Sequence, residues 1–397
     1  MPQLTAFSKV TSESQRIKQP VIVQILPALN LGGVERGTIE VARAIIEAGG
    51  KAVIISSGGQ LVPQLQRIGA IHITLPVHVK NPLKWGRIRR QLRNHLREQG
   101  ADIVHVRSRA PAWIALPVVK KLGIETIATI HGKFKAQNVF KKIYNAKILQ
   151  ARKLIAISEH VKSGILERHG KVEGLADKLT VIHRGVDIDY FNPAKVTQAR
   201  IINQAQILSL PDDRPVIMLP ARPTAWKGHK ILLDAVAKMG RQDITVVLQG
   251  IAHDYSKYYE AMQRHVARLD IESLVRFAQK TNDMPASLML ADVVVMPSIE
   301  PEPFGRVAVE AQAMGRPIVA FGHGGAVESI IDRKTGYLAQ PGDVDSLVAA
   351  LEEALSLGPR QRKKWAEAAR EHVINNFTTK NMCDATLAHY DSLLSNR

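Results

Sequence analysis

The chain has 397 residues, 45% of them hydrophobic, with a formal net charge of +18 and one cysteine. That length exceeds one ordinary core and fits two domains of roughly 150–200 residues, while the lone Cys383 excludes an intrachain disulfide or a multi-cysteine metal site and makes a reducing cytoplasm the expectation. No uncharged apolar run reaches the roughly 18 residues of a membrane-spanning helix.

Residues 1–19 are polar, lack the apolar stretch of a signal peptide and are expected to form a disordered lead-in. From there strands and helices alternate. Val21–Leu26 is a continuous apolar run of the kind a parallel sheet buries on both faces. The turn Asn30-Leu31-Gly32-Gly33 follows, then a helix over Val34–Ala48 stopped by Gly49-Gly50. Lys51–Ser56, Ile71–Leu75, Asp102–Val106, Thr126–Ile130, Ala151–Ile157 and Leu179–Ile182 read as further strands, with helices over Leu83–Glu98 and Ala112–Leu122. The boundary is expected within 187–213, where Asn192-Pro193 and Pro211-Asp212-Asp213 interrupt the pattern. Val216–Leu219, Thr245–Gln249, Val275–Phe277, Val293–Met296 and Pro317–Phe321 then repeat the scheme. The fold class is α/β: two tandem Rossmann-like, doubly wound domains, 20–195 and 196–374, with a cleft between them. Such sheets bind ligands beyond the C-terminal ends of their strands.

The charge is uneven. Residues 80–153 hold 18 lysines and arginines against three acids, which implies a polyanionic partner: nucleic acid, an acidic membrane or a phosphorylated acceptor. Within Leu83–Glu98, Ile88, Leu92 and Leu96 share one face, and Trp85, Arg89, Arg90 and Arg93 are among the residues around it. That pattern suits an anionic bilayer surface and equally a core-packed helix with a solvated basic face. Arg107, Arg109, Lys133, Lys135, Lys141 and Lys142 enlarge the basic half.

Four constellations carry candidate chemistry. Glu302-Pro303-Phe304-Gly305-Arg306 follows a strand and opens a helix containing Glu310. Eight residues of helix rise about 12 Å, too far for both acids to pinch one glycosidic oxygen. Separate roles fit better: Glu310 on vicinal ribose hydroxyls, Glu302 and the main-chain N–H groups of Phe304 to Arg306 on sugar hydroxyls and phosphate. Two surface glutamates around a helix cap is the plain alternative. Arg222 and Lys227-Gly228 follow another strand, where arginine grips phosphate bidentately and lysine acts as a point charge; a solvated basic loop has the same composition. Gly32-Gly33 sits where a phosphate-cradling turn belongs, without a full dinucleotide fingerprint. His131-Gly132 ends a strand, where the imidazole can donate to a developing charge or serve a structural role. No Walker A sequence, zinc spacing, Gly-x-Ser-x-Gly elbow or Asp-x-Asp motif occurs, so no metal is expected.

Together these residues resemble the family-four retaining glycosyltransferases of the GT-B fold. The resemblance runs from Gly32-Gly33-Val34-Glu35-Arg36 through His131-Gly132, Ile157-Ser158-Glu159, Gly185-Val186-Asp187, Arg222 with Lys227-Gly228, and Glu302-Pro303-Phe304-Gly305 with Glu310, to Gly324-Gly325 and Thr335-Gly336-Tyr337-Leu338. It implies a nucleotide diphosphate sugar as donor substrate and no cofactor. Arg222 and Lys227 would hold the diphosphate and Gly33 approach it. Glu310 would bind ribose; Glu302 and the backbone of Phe304 to Arg306 would bind the sugar, with His131 near the reacting carbon. Front-face substitution with retention is the implied mechanism, and residues 375–397 would form a helix returning to the N-terminal domain. His183-Arg184-Gly185, Arg306 and Ala278 depart from the usual pattern. The acceptor expected from the basic half is an anionic glycolipid or saccharide of lipopolysaccharide or glycolipid synthesis, met at the inner face of the plasma membrane by a peripheral cytoplasmic enzyme. No nucleic-acid partner is expected. A sugar-nucleotide epimerase of the same fold, a nucleic-acid-binding protein and a non-catalytic scaffold are the rival readings.

Overall fold

The structure, a computed structural model, describes residues 19–30, 32–132, 138–251 and 257–395. Apart from residue 19, the expected lead-in lies outside the described residues, as do Leu31, Lys133 and Lys135.

Seven strands form the first sheet: β1 (Val21–Ile25), β2 (Lys51–Ser56), β3 (Ile71–Thr74), β4 (Ile103–Val106), β5 (Glu125–Ile130), β6 (Lys153–Ala156) and β7 (Leu179–Val181). They run parallel in the order β3-β2-β1-β4-β5-β6-β7. Six more form the second: β8 (Val216–Pro220), β9 (Thr245–Gln249), β10 (Val275–Ala278), β11 (Val293–Met296), β12 (Ile318–Phe321) and β13 (Tyr337–Ala339). Their order is β10-β9-β8-β11-β12-β13, again all parallel. Each sheet is a doubly wound α/β layer that reverses direction once, between β1 and β4 and between β8 and β11. The apolar runs became these strands because helices cover both faces; every residue of β1, β4, β8, β9, β11 and β12 is buried. The sequence reading did not mark β13, whose three residues are too short for a periodic signal.

The chain divides into two compact units, residues 1–184 with 379–397, and residues 185–378. In the first, helix Gly33–Glu47 lays Ile39, Val41, Ala42 and Ile45 on the sheet, and helix Thr379–Leu394 adds Met382, Leu387, Tyr390 and Leu393 to the same core. Tyr390 is fully buried, its hydroxyl 2.5 Å from His105 Nδ1, while His105 Nε2 lies 2.7 Å from Thr129 Oγ1. Burial, with the charge of Arg107 behind it, holds the His105 imidazole well below its ordinary range. Helix Pro82–Gln99 starts on an Asn81 cap, ends at Gly100 and buries Ile88, Leu92 and Leu96. The apolar stripe of that helix therefore belongs to the unit's own core, and the face left to solvent is basic.

Among the described residues no helix is long and apolar enough to cross a membrane, and no group of three His, Cys, Asp or Glu is placed to hold a metal ion.

In the second unit, His229 opens helix His229–Met239 fully buried, with the Tyr258 hydroxyl 3.0 Å from its Nδ1. Burial lowers its pKa to about 4, and the nearby Lys227 charge contributes. The unfolded chain, with an ordinary histidine pKa near 6.5, takes up the proton first, so stability is level above about pH 6.5 and falls as pH drops toward 4. Urea unfolding at pH 7 and pH 4.5 is expected to show about 2–3 kcal/mol more acid-induced loss in the wild type than in His229→Gln. Equal losses in both proteins contradict this assignment.

Candidate functional site

The second unit places its chemistry where the sheet reverses. After β8 the chain passes Arg222 and a single turn, Ala225–Lys227, before helix His229–Met239. Gly228 between them has φ +80°, and a Cβ there would lie 1.8 Å from the Pro297 carbonyl oxygen. Only glycine lets this loop lie so close to the segment after β11. The Trp226 carbonyl accepts from Ile299 N at 2.9 Å, fixing the two loops side by side.

That contact brings together two residues 75 apart in sequence. Lys227 Nζ donates to Glu302 Oε1 at 2.5 Å, and Ser298 Oγ donates to the same oxygen at 2.6 Å. Both charged side chains are largely covered, 15% and 7% exposed, and the Lys227 ammonium also lies 4.3 Å from the Trp226 ring centroid. Glu302 Oε2 has no hydrogen-bond partner among the described residues. The main chain of Glu302 is pinned as well, its carbonyl accepting from Gly325 N at 2.8 Å. His323 Nε2 lies 2.7 Å from the Ser298 carbonyl oxygen, so the loop after β12 joins the same lattice. Arg222 is exposed and has no carboxylate partner among the described residues.

Beyond Pro303, the buried Phe304 ring packs 5.7 Å from that of Phe377. Gly305, at φ +86°, caps helix Arg306–Ala313 without a side-chain hydrogen bond, leaving the helix N-terminus open to an acceptor. One turn in, Arg306 Nη2 lies 3.0 Å from Glu310 Oε1. This settles which acid Arg306 meets in the folded chain; its Nε is buried with no partner. The second Glu310 oxygen stays available.

In the first unit, Gly32 precedes helix Gly33–Glu47 with no side-chain cap, and Arg184 Nη2 donates to the Gly33 carbonyl at 2.7 Å. Arg184 lies 3.8 Å from Glu40. His131 stands at the end of β5, its Nε2 fully covered and without a hydrogen-bond partner among the described residues. Burial, then Arg107, Arg184 and His105, hold the imidazole well below its usual range, so it is neutral at pH 7. A cavity of about 250 Å³ opens there, with Pro27, Glu35, Arg107, Arg109 and His131 among its walls.

The residues expected at a membrane or acceptor divide. Trp85 donates from Nε1 to the Val79 carbonyl at 2.8 Å and lies 5.6 Å from the Trp113 ring. Arg89 donates to the Trp113 carbonyl at 2.8 Å. Both help build the unit, whereas Arg90 is exposed and Arg93 half-buried. Sequence reasoning did not single out Ser298 or His323, which follow strand ends directly; their position after β11 and β12 was the available signal.

The profile of glycosyltransferase family 4 matches residues 31–190, and that of glycosyl transferases group 1 matches residues 201–372. A crystal structure of a glycosyltransferase from Rickettsia africae is 35% identical and superposes with a TM-score of 0.88, covering 96% of this chain and 100% of that one. HepE of Anabaena, solved with UDP-glucose, is 21% identical at a TM-score of 0.81, covering 94% of this chain and 99% of its own. WaaG, a glycosyltransferase involved in lipopolysaccharide biosynthesis, is 17% identical at 0.71, with coverages of 94% and 99%. These last two are alike in fold. D-inositol 3-phosphate glycosyltransferase of Mycobacterium tuberculosis is 33% identical over 245 residues, 61% of this chain and 48% of the relative, so the match spans about half that protein's length. With both sheets accounted for, the chain belongs to the GT-B glycosyltransferases that join a family 4 N-terminal domain to a group 1 C-terminal domain.

Proposed function

We propose that the protein is a retaining glycosyltransferase that moves a sugar from a nucleoside diphosphate donor to an anionic, membrane-associated acceptor in lipopolysaccharide or glycolipid synthesis. It acts as a peripheral enzyme at the inner face of the plasma membrane. The observation that carries this reading is the Lys227–Glu302 pair beside the uncapped helix N-terminus at Gly305. A lysine, an exposed arginine and an open helix start at one sheet's reversal point form a diphosphate site. HepE, of the same fold, was solved with UDP-glucose.

In this reading Arg222, Lys227 and the N–H groups after Gly305 take the charge that builds on the leaving diphosphate, where preorganised electrostatics lower the barrier most. The open oxygen of Glu310 accepts from ribose hydroxyls, and that of Glu302 from the sugar. Pro303, Phe304 and Arg306 hold these two acids in place. Gly32 and Gly33 leave room for a phosphate, and neutral His131 donates to a sugar hydroxyl. The acceptor oxygen bonds to the anomeric carbon on the face from which the diphosphate departs. The carbon–phosphate oxygen bond breaks, and the acceptor's proton passes to the departing phosphate. No metal is required by these steps.

The acceptor class rests on charge and on likeness. The first unit holds most of the basic excess, one relative is named for a phosphorylated inositol, and WaaG serves lipopolysaccharide synthesis. Helix Val139–Ala146 turns Val139, Phe140 and Ile143 to solvent, 71%, 84% and 55% exposed, beside Lys141 and Lys142. Apolar side chains interleaved with lysines fit an anionic bilayer surface.

Two measurements test this reading. Release of nucleoside diphosphate from a panel of UDP-, GDP- and ADP-sugars is expected for one donor. Lys227→Ala is expected to lower kcat by about 10²–10³, and Glu310→Ala to raise the donor KM by about tenfold or more. Melting curves accompany both, because Lys227→Ala leaves Glu302 without its cation. Wild-type kinetics in both folded variants, or no turnover of any donor, defeats the proposal. In flotation with phosphatidylglycerol vesicles the wild type is expected to rise and Phe140→Ser/Lys142→Glu to remain below. Equal behaviour on uncharged vesicles removes the anionic membrane from the account.

A further inference from the structure

The cavity in the first unit has two arginines, Arg107 and Arg109, that the donor chemistry does not use. Arg107, one residue past β4, is 3% exposed. Its Nη1 donates to the neutral Gln24 Oε1 at 2.7 Å, its Nε has no partner, and no carboxylate pairs with it among the described residues. The Glu40 carboxylate acts on Arg107 only at a distance, and a buried guanidinium with no direct ion pair costs several kcal/mol. Arg109 lines the same cavity and donates to Asn145 Oδ1 at 2.7 Å.

Two further features converge. Helix Arg109–Leu122 begins at the cavity wall; its N-cap, Ser108, makes no side-chain capping bond, and no acid occupies the first turn. The positive end of a 14-residue helix therefore opens on the space. His131 lines the same wall. Against these stands one carboxylate, Glu35, which lies over Gly32. Pro27, Val34 and Ile148 close the remaining sides with apolar surface, which strengthens every charge contact inside.

We infer that this cavity binds an oxyanion of the acceptor, a phosphate or carboxylate group, with Arg107, Arg109 and the N-terminus of helix Arg109–Leu122 as its ligands. The inference rests on the proposed transferase reading, with the first unit as the acceptor-holding one. It moves the recognition of acceptor charge from the arginines of helix Pro82–Gln99 to a cavity lined by Arg107 and Arg109. Bidentate arginine contacts make it selective for planar or tetrahedral oxyanions over a diffuse negative surface.

The test is calorimetric titration of the full-length protein with inorganic phosphate and, separately, acetate, with a UDP-, a GDP- and an ADP-sugar titrated alongside. Phosphate or acetate binding is expected in the wild type, and the stronger of the two names the group. It is expected to weaken by about tenfold or more in Arg109→Gln and in Arg107→Gln, and to persist in Lys227→Ala. Arg109→Gln, at a half-buried position, keeps the test decisive if the fully buried Arg107 variant fails to fold. Oxyanion binding that survives Arg109→Gln and vanishes in Lys227→Ala, or absence of binding by either anion, overturns the inference. The sugar-nucleotide titrations read the donor site separately: failure of all three alongside intact, Arg109-dependent phosphate binding counts against the donor reading alone.

Discussion

The central strands of both sheets are covered on both faces, so a charged side chain finds room there only where strands end. Every residue of β1 and β8 is buried, and the one polar residue inside β1, Gln24, is satisfied by Thr38 and Arg107. The polar chemistry of each unit is consequently crowded onto the loops after β1, β4 and β5 or after β8, β11 and β12. The single reversal of strand order lets neighbouring loops part there, which is where open α/β sheets admit ligands. Lys227, Glu302 and Gly305 occupy that place in the second unit, and Arg107, Arg109 and His131 in the first.

The two places treat charge differently. In the second unit a cation and an anion neutralise each other: Lys227 and Glu302 share a short contact reinforced by Ser298. Such a covered pair contributes little net stability, because desolvation offsets much of its attraction, yet removing one partner alone is costly, about 3–5 kcal/mol. On the proposed reading, a diphosphate would draw the ammonium away by offering more negative charge than one carboxylate, and the loop would prefer multiply charged ligands. In the first unit Arg107 is buried with the neutral Gln24 as its hydrogen-bond partner and no carboxylate in direct contact among the described residues.

Much of this was legible in the residues. Continuous apolar runs marked the strands because parallel strands need no polar face, and Gly228 and Gly305 marked the turns because both backbones enter the left-handed region. Glu302 and Lys227 could be placed after strand ends, although their direct pairing depends on the close approach that Gly228 allows. Other features had no local signal. Arg107 and Arg184 look like surface cations in sequence and are 3% and 4% exposed in the fold, because β4 and the segment after β7 carry them inward. Helix Pro82–Gln99 was ambiguous since a narrow apolar stripe is compatible with lipid or with core, and only its packing decides. Arg306 and Glu310 stand one helical turn apart, a spacing that permits a pair without requiring one.

The central claim is that the second unit holds a nucleoside diphosphate against the loops after β8 and β11. Amide hydrogen exchange, with and without the nucleoside diphosphate whose sugar turns over, tests it most directly. The account predicts slowed exchange in the Thr224–Gly228 loop and at the helix start after Gly305. Bound nucleotide that leaves both segments unchanged, or protects only the loops of the first sheet, contradicts it.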